Sequence, residues 1–175
     1  GMKDTCYLPG PDLRARAAAT EYVKDTDRIL VGEVHDENAR YMGGVAGHAG
    51  LFSTAQDLCV YCQMILNMGV YAGARVLSRA VLDATRKRHS PPGEEPRGLG
   101  WVKKGADFSA AGDLLSDETI YHTGFTGTAL YIDPAADLFV VLLTNRVHPT
   151  RDNEAILRAR PRFCNAVAAS IEDWS

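Results

Sequence analysis

Apolar side chains recur with two different periods along this 175-residue chain, and the change of period separates helices from strands. In LFSTAQDLCVYCQMILNMG, Leu58, Tyr61, Cys62, Ile65 and Leu66 fall at i, i+3, i+4, i+7 and i+8. That spacing predicts a helix over residues 54–68. Ser53 or Thr54, with Gln56 or Asp57 three residues on, opens it as a capping box, and Gly69 closes it at C′. LSRAVLDATRKRH predicts a second helix with Ser78 as N-cap and Val81, Leu82 and Thr85 on its buried side. Its closing Arg86, Lys87 and Arg88 suit the negative end of the helix dipole. A third helix is expected near residues 161–172, with Pro161 in its first turn and Phe163, Val167, Ala168 and Ile171 as its apolar face.

Between the second and third helices the pattern turns β. SPPGEEPRG is a loop by composition, and Gly100-Trp101-Val102 opens a β region. Thr119 to Tyr121, Gly127 to Ile132 and Leu138 to Thr144 read as strands, the last two forming an antiparallel hairpin across DPAAD. LFVVLL, six consecutive apolar residues, predicts a strand covered on both faces, as in a sheet interior. Yet it is the last strand of the chain, so its outer edge needs a partner from an earlier segment, another subunit or a part of the protein outside this chain. Residues 1–50 are rich in turn formers and predict one extended piece, Ile29 to Val34.

Composition narrows the class. At 46% hydrophobic and 23% charged residues, the chain fits a single soluble domain over 1–175, with Gly1 read as the remnant of a cleaved tag. A formal charge of −3 offers no basic stripe for nucleic acid and no polybasic membrane patch. No apolar run reaches the roughly 18 residues of a membrane span. Cys6, Cys59, Cys62 and Cys164 are too irregularly spaced for a disulfide framework, and the Cys59/Cys62 pair fits core-facing helix positions better than a metal site.

The candidate chemistry lies in YHTGFTG, residues 121–127. A histidine beside a threonine hydroxyl and a permissive glycine can stabilise charge or relay protons, although the same residues also fit a polar turn entering a strand. Glu33, His35, Asp36 and His48 are metal-ligand types at spacings that match no metal motif; a loop in which Asp36 and Asn38 bond the backbone explains them, so neither metal nor cofactor is expected. His89 and His148 lie beside prolines at loop edges. Neither a G-x-S-x-G elbow nor a phosphate-binding G-x-x-x-x-G-K-[ST] loop occurs.

Together, GHAGLFSTAQDL leading into a helix, GLGW after a proline loop, and HTGFTGTALYIDPAADLFVVLLTNRVHP resemble the C-terminal half of the serine β-lactamase and penicillin-binding-protein superfamily. The match is to the class C-like relatives and esterases whose third motif reads H-T-G rather than K-T-G, and MKDT resembles an interior segment of that family. The resemblance implies an α+β, partial β-lactamase/transpeptidase-like fold, an antiparallel sheet flanked by helices. It also implies that His122 supplies charge or a proton relay, Thr123 a hydroxyl for a substrate carboxylate, and Gly124 an open strand, while the Phe125 N–H forms half of an oxyanion hole. The family's S-x-x-K nucleophile and its Y-x-N or S-x-N motif do not occur; in the family they lie upstream, with the first two strands of the sheet. The expectation is therefore a fragment of a hydrolase, inactive alone, whose parent acts on a β-lactam, a peptidoglycan peptide or an ester. A peptidoglycan-directed parent implies the cell envelope or periplasm, and an esterase-like one the cytoplasm. The alternative is a non-catalytic binding or assembly module that dimerises through the Leu138 to Thr144 edge.

Overall fold

The computed structural model describes residues 1–105 and 109–172. Its elements run β1 (Cys6–Tyr7), α1 (Pro11–Arg16), β2 (Ala19–Val23), β3 (Arg28–Val31), α2 (Glu37–Tyr41), β4 (Leu51–Phe52), α3 (Ala55–Leu66), β5 (Val70–Tyr71), β6 (Ala74–Arg75), α4 (Arg79–Arg86), β7 (Val102–Lys103), β8 (Ile120–Thr123), β9 (Ala129–Asp133), β10 (Leu138–Leu142) and α5 (Ile156–Ala169). The main sheet is four-stranded and antiparallel in the order β10-β9-β8-β7, and three short two-stranded ladders join β1 to β4, β2 to β3 and β5 to β6.

Strand alternation sends neighbouring side chains to opposite faces of this sheet, and each face has its own core. Ile120 and Ile132 pack with Trp101, Leu82 and the α3 residues Cys62, Met64 and Ile65. Tyr121, Tyr131, Ala129 and Val140 pack on the other face with Cys164 and Ala168 of α5. The two tyrosines stack there with ring centroids 5.8 Å apart.

The predicted coverage of LFVVLL on both faces is present: Phe139 and Val141 meet the α3-side core, and Val140, Leu138 and Leu142 the α5-side core. Its place in the sheet differs from an interior strand, because β10 bonds β9 on one side and no other strand among the described residues. The expected Ile29 to Val34 segment is β3, ending at Val31, and its partner β2 was hidden in a stretch without clear alternation.

Helix ends show what the apolar pattern leaves out. Thr54 caps α3 by accepting from the Asp57 N–H at 3.3 Å, but Asp57 does not complete a box. Its carboxylate instead accepts from the Lys3 and Asp4 N–H groups and the Thr5 hydroxyl, stitching the N-terminal segment to the helix. At the other end the C′ residue is Met68, at φ +51°, rather than Gly69. The Met68 N–H bonds Ile65 O and the Gly69 N–H bonds Met64 O, a Schellman closure displaced by one residue. Ser78 caps α4 as expected, at 3.2 Å from the Val81 N–H, yet Val81 is exposed and Leu82 alone is fully buried, because so short a helix presents one residue to the core.

The final helix starts at Ile156, five residues before the expected position, and takes Pro161 into its interior. The buried stripe runs through Ile156, Arg160, Cys164 and Ala168, one residue round from most of the expected face, and Phe163 and Ile171 are exposed. No helix among the described residues is long and apolar enough to cross a membrane.

Candidate active-site wall

β8 delivers the HTG residues at its C-terminal end. His122 pairs across the sheet with Leu130, and Thr123 with Ala129. Alternation therefore places His122 on the α3 side, where it is exposed and its ring meets no hydrogen-bond partner among the described residues, and turns the half-buried Thr123 toward the α5 side. The strand ends because Gly124 begins a tight turn: its N–H bonds Thr128 O at 2.7 Å, and the Gly127 N–H returns to Gly124 O at 3.1 Å. Gly127 sits at φ +116°, and a Cβ there would lie 2.9 Å from both Arg146 N and Thr144 O, so only glycine fits.

Every carbonyl from 124 to 128 is held by the protein. Arg160 donates to Gly124 O at 2.7 Å and to Thr128 O at 2.9 Å. The Arg146 Nε donates to Phe125 O at 2.8 Å, the Arg146 N–H to Thr126 O at 2.9 Å, and the Thr144 hydroxyl to Gly127 O at 2.6 Å. By contrast, the N–H groups of Phe125 and Thr126 donate to nothing among the described residues. Two successive free amides on a pinned turn are chemically suited to an anionic oxygen.

Phe125 projects its ring outward, 56% exposed, with the Arg146 guanidinium 4.1 Å from the centroid on a cation–π contact and the buried His35 ring stacked at 5.7 Å. Behind His35 lies a charged cluster. His35 Nε2 is 2.9 Å from Glu21 Oε2, and Glu21 also accepts from Arg151 Nε at 2.7 Å, while Arg151 reaches on to Glu37 at 2.5 Å. Hydrogen bonding to Arg151, above all, holds the Glu21 carboxyl at about 2, and the His35 bond adds to it against the opposing effect of burial.

The other candidate ligands are spread apart. His48 pairs with Asp36 at 3.0 Å, and Asp36 caps α2 through the Ala39 N–H at 2.8 Å. Among the described residues, no three His, Cys, Asp or Glu side chains gather as a metal set. His89 bonds Ala84 O and His148 bonds Thr20 O, both at the surface. All four cysteines are free. Burial pushes the Cys62 thiol up to about 12 and the Cys164 thiol to about 11, so neither is a thiolate nucleophile near neutrality.

Four contributors escaped the sequence reading: Arg146, Arg160, Glu21 and Arg151. For Arg160 a signal exists in hindsight, a lone cation four residues from Ile156 and from Cys164 on an otherwise apolar stripe. For Glu21 and Arg151, 130 residues apart, there is none.

A sequence model of the Beta-lactamase family matches residues 1–161. A protein of Salmonella enteritidis, carrying the provisional name D-alanyl-D-alanine carboxypeptidase, is 45% identical over 122 residues, 68% of this chain and 28% of that protein. The chain thus spans less than a third of the length of the curated relatives it matches. Among solved structures, a β-lactamase from Mycobacterium bovis superposes with a TM-score of 0.56 at 25% identity, covering 70% of this chain and 46% of that one. Unliganded simvastatin synthase from Aspergillus terreus superposes with a TM-score of 0.64 at 15% identity, over 96% of this chain and 45% of that one, a likeness of fold alone. Motif order, sheet architecture and the family match agree, and the chain belongs to the Beta-lactamase family of serine hydrolases.

Proposed function

We propose that this chain carries one wall of an acyl-transfer site whose nucleophile lies in an upstream part of a longer protein, and that it is inactive alone. In this reading the Phe125 N–H binds the developing oxyanion, His122 supplies charge or relays a proton, Thr123 offers its hydroxyl at the strand end, and Gly124 lets the substrate lie close to the backbone. The observation that carries it is the asymmetry of the turn: its carbonyls from 124 to 128 are all bonded inward, while the Phe125 and Thr126 amides have no partner among the described residues. Inactivity follows from the absent S-x-x-K, since an oxyanion donor without a nucleophile offers no acyl-enzyme route. The provisional carboxypeptidase name of a 45% identical relative favours a peptide ending in D-alanyl-D-alanine over a β-lactam or a simple ester.

The test is to express the chain with the coding region that precedes it and assay D-alanine release, nitrocefin hydrolysis and p-nitrophenyl ester hydrolysis. The longer protein is expected to be active, and His122→Ala within it to lose roughly 10²–10⁴-fold in kcat. The 175-residue chain should match its own His122→Ala control. Turnover by the short chain above that control, or a longer protein indifferent to His122→Ala, overturns the reading. A second reading, a non-catalytic module that dimerises through Leu138 to Thr144, is favoured by the outer edge of β10, which no strand among the described residues pairs.

A further inference from the structure

Arg160 is an unusual occupant of its site. It sits on the buried stripe of α5, only 6% exposed, and no carboxylate pairs with it among the described residues. Taking a guanidinium out of water without a counter-charge is costly, so such a group is kept only where the fold gives it strong acceptors. Its Nε is buried without a hydrogen-bond partner among the described residues, as is the neighbouring Tyr131 hydroxyl. What the charge does meet is the turn: one Nη donates to both Gly124 O and Thr128 O, the two ends of the 124–128 loop.

The Gly124 carbonyl and the Phe125 N–H belong to the same planar peptide unit, and in a trans peptide they point in opposite directions. A cation fixed on the oxygen therefore fixes the direction of the N–H. It also draws electron density toward the oxygen and leaves the N–H a stronger donor, as in any chain of hydrogen bonds that polarise one another. The Gly127 N–H shares Gly124 O, but as a neutral donor at a longer 3.1 Å.

We propose that Arg160 is a positioning residue for the oxyanion wall, a buried cation that orients and polarises the Gly124–Phe125 peptide so that the Phe125 N–H is aimed outward and strengthened as a donor. The inference rests on the reading of Phe125 given above, yet its physical core can be tested without catalysis. In ¹H–¹⁵N spectra of the 175-residue chain, Arg160→Met should move the Phe125 amide upfield in both dimensions, while the Ile120 and Ile132 amides stay in place. Arg160→Lys, which keeps the charge on a compact donor, should restore part of the shift. A Phe125 amide unmoved in a folded Arg160→Met chain overturns the proposal. If that variant does not fold, couplings across the hydrogen bond from the Arg160 Nη to the Gly124 carbonyl carbon decide in the unaltered chain, and their absence overturns it equally.

In the longer protein, Arg160→Lys should lower kcat about tenfold or more and leave KM within about twofold, the mark of an interaction made in the transition state. A shifted amide with unchanged kcat removes the catalytic role of the clamp. Failure of the wall as a whole is read separately, from His122→Ala, so the two outcomes do not mask each other.

Discussion

Gly124 and Gly127 stand three residues apart in one turn, yet replacement by alanine should affect them differently. A Cβ on Gly124 meets one close atom, the Thr128 Oγ1 at 2.2 Å, which a χ1 rotation can move; a Cβ on Gly127 meets backbone on two sides at φ +116°. Gly124→Ala should cost under about 1 kcal/mol in urea unfolding, and Gly127→Ala roughly 2–4 kcal/mol. Equal losses would mean that the turn is not built as described. Glu21 gives a pH prediction at the same scale. Its carboxyl is held near 2 in the folded chain, against an ordinary 4.5, chiefly by Arg151, with His35 also bonded to it and Glu37 sharing Arg151. A depressed carboxylate stabilises the fold above its unfolded pKa, and the contribution is lost as pH falls from about 4.5 toward 2. It is worth at most about 3 kcal/mol, less after the screening that the 41% exposure of Arg151 allows. The stability gap between the unaltered chain and Glu21→Gln should accordingly be wide at pH 7 and nearly closed near pH 2; a gap independent of pH would sink the assignment. His122 to Phe125 stand out in the sequence as candidates because four neighbouring residues form a motif. The groups that brace them could not, since Glu21 meets Arg151 only when distant segments fold together.

At the scale of elements, the sequence showed where helices and strands lie better than which way they face. The period of α3 and the caps at Thr54 and Ser78 were legible because they are local: a hydroxyl reaches an N–H three residues on whatever the rest of the chain does. The orientation of α5 was not, because its buried stripe of Ile156, Arg160, Cys164 and Ala168 passes through Arg160, a residue no hydrophobic pattern selects. The same ambiguity affected α4, where Val81 and Leu82 are equally apolar and only Leu82 is buried, at 1% exposure against 47%. Leu82→Ala should therefore cost about 2–5 kcal/mol and Val81→Ala no more than about 0.5 kcal/mol, measured by denaturant unfolding. Comparable costs would restore the symmetric burial that the sequence suggests. The β2–β3 ladder went half unseen for another reason: Ala19–Val23 is registered against β3 with an irregularity between Ala19 and Tyr22, which breaks the alternation that marks a strand.

For the molecule as a whole, the free side of β10 is the feature with the largest consequence. The strand has apolar cover on both faces, the mark of a sheet interior, but a strand partner on one side only among the described residues. Unpaired N–H and C=O groups flanked by apolar side chains form a template for another strand, and Leu143 just beyond β10 is 45% exposed. Either an upstream segment of the proposed longer protein or a second copy can fill it, and the two make opposite predictions. If the edge belongs to upstream strands, the isolated chain should associate with concentration, and the longer protein should be a monomer, because its own strand then occupies the site. If the edge is a dimer interface in its own right, adding the upstream region should leave the dimer intact. Leu143→Lys places a charge beside the edge and should shift the isolated chain toward monomer in either case, since burying an unpaired ammonium between two strands costs more than the pairing returns. Light scattering over a concentration series, on the chain, its Leu143→Lys variant and the longer protein, separates the cases. A chain that remains monomeric at high concentration and unfolds cooperatively would show that β10 needs no strand beside it, and both accounts of the edge would fall together.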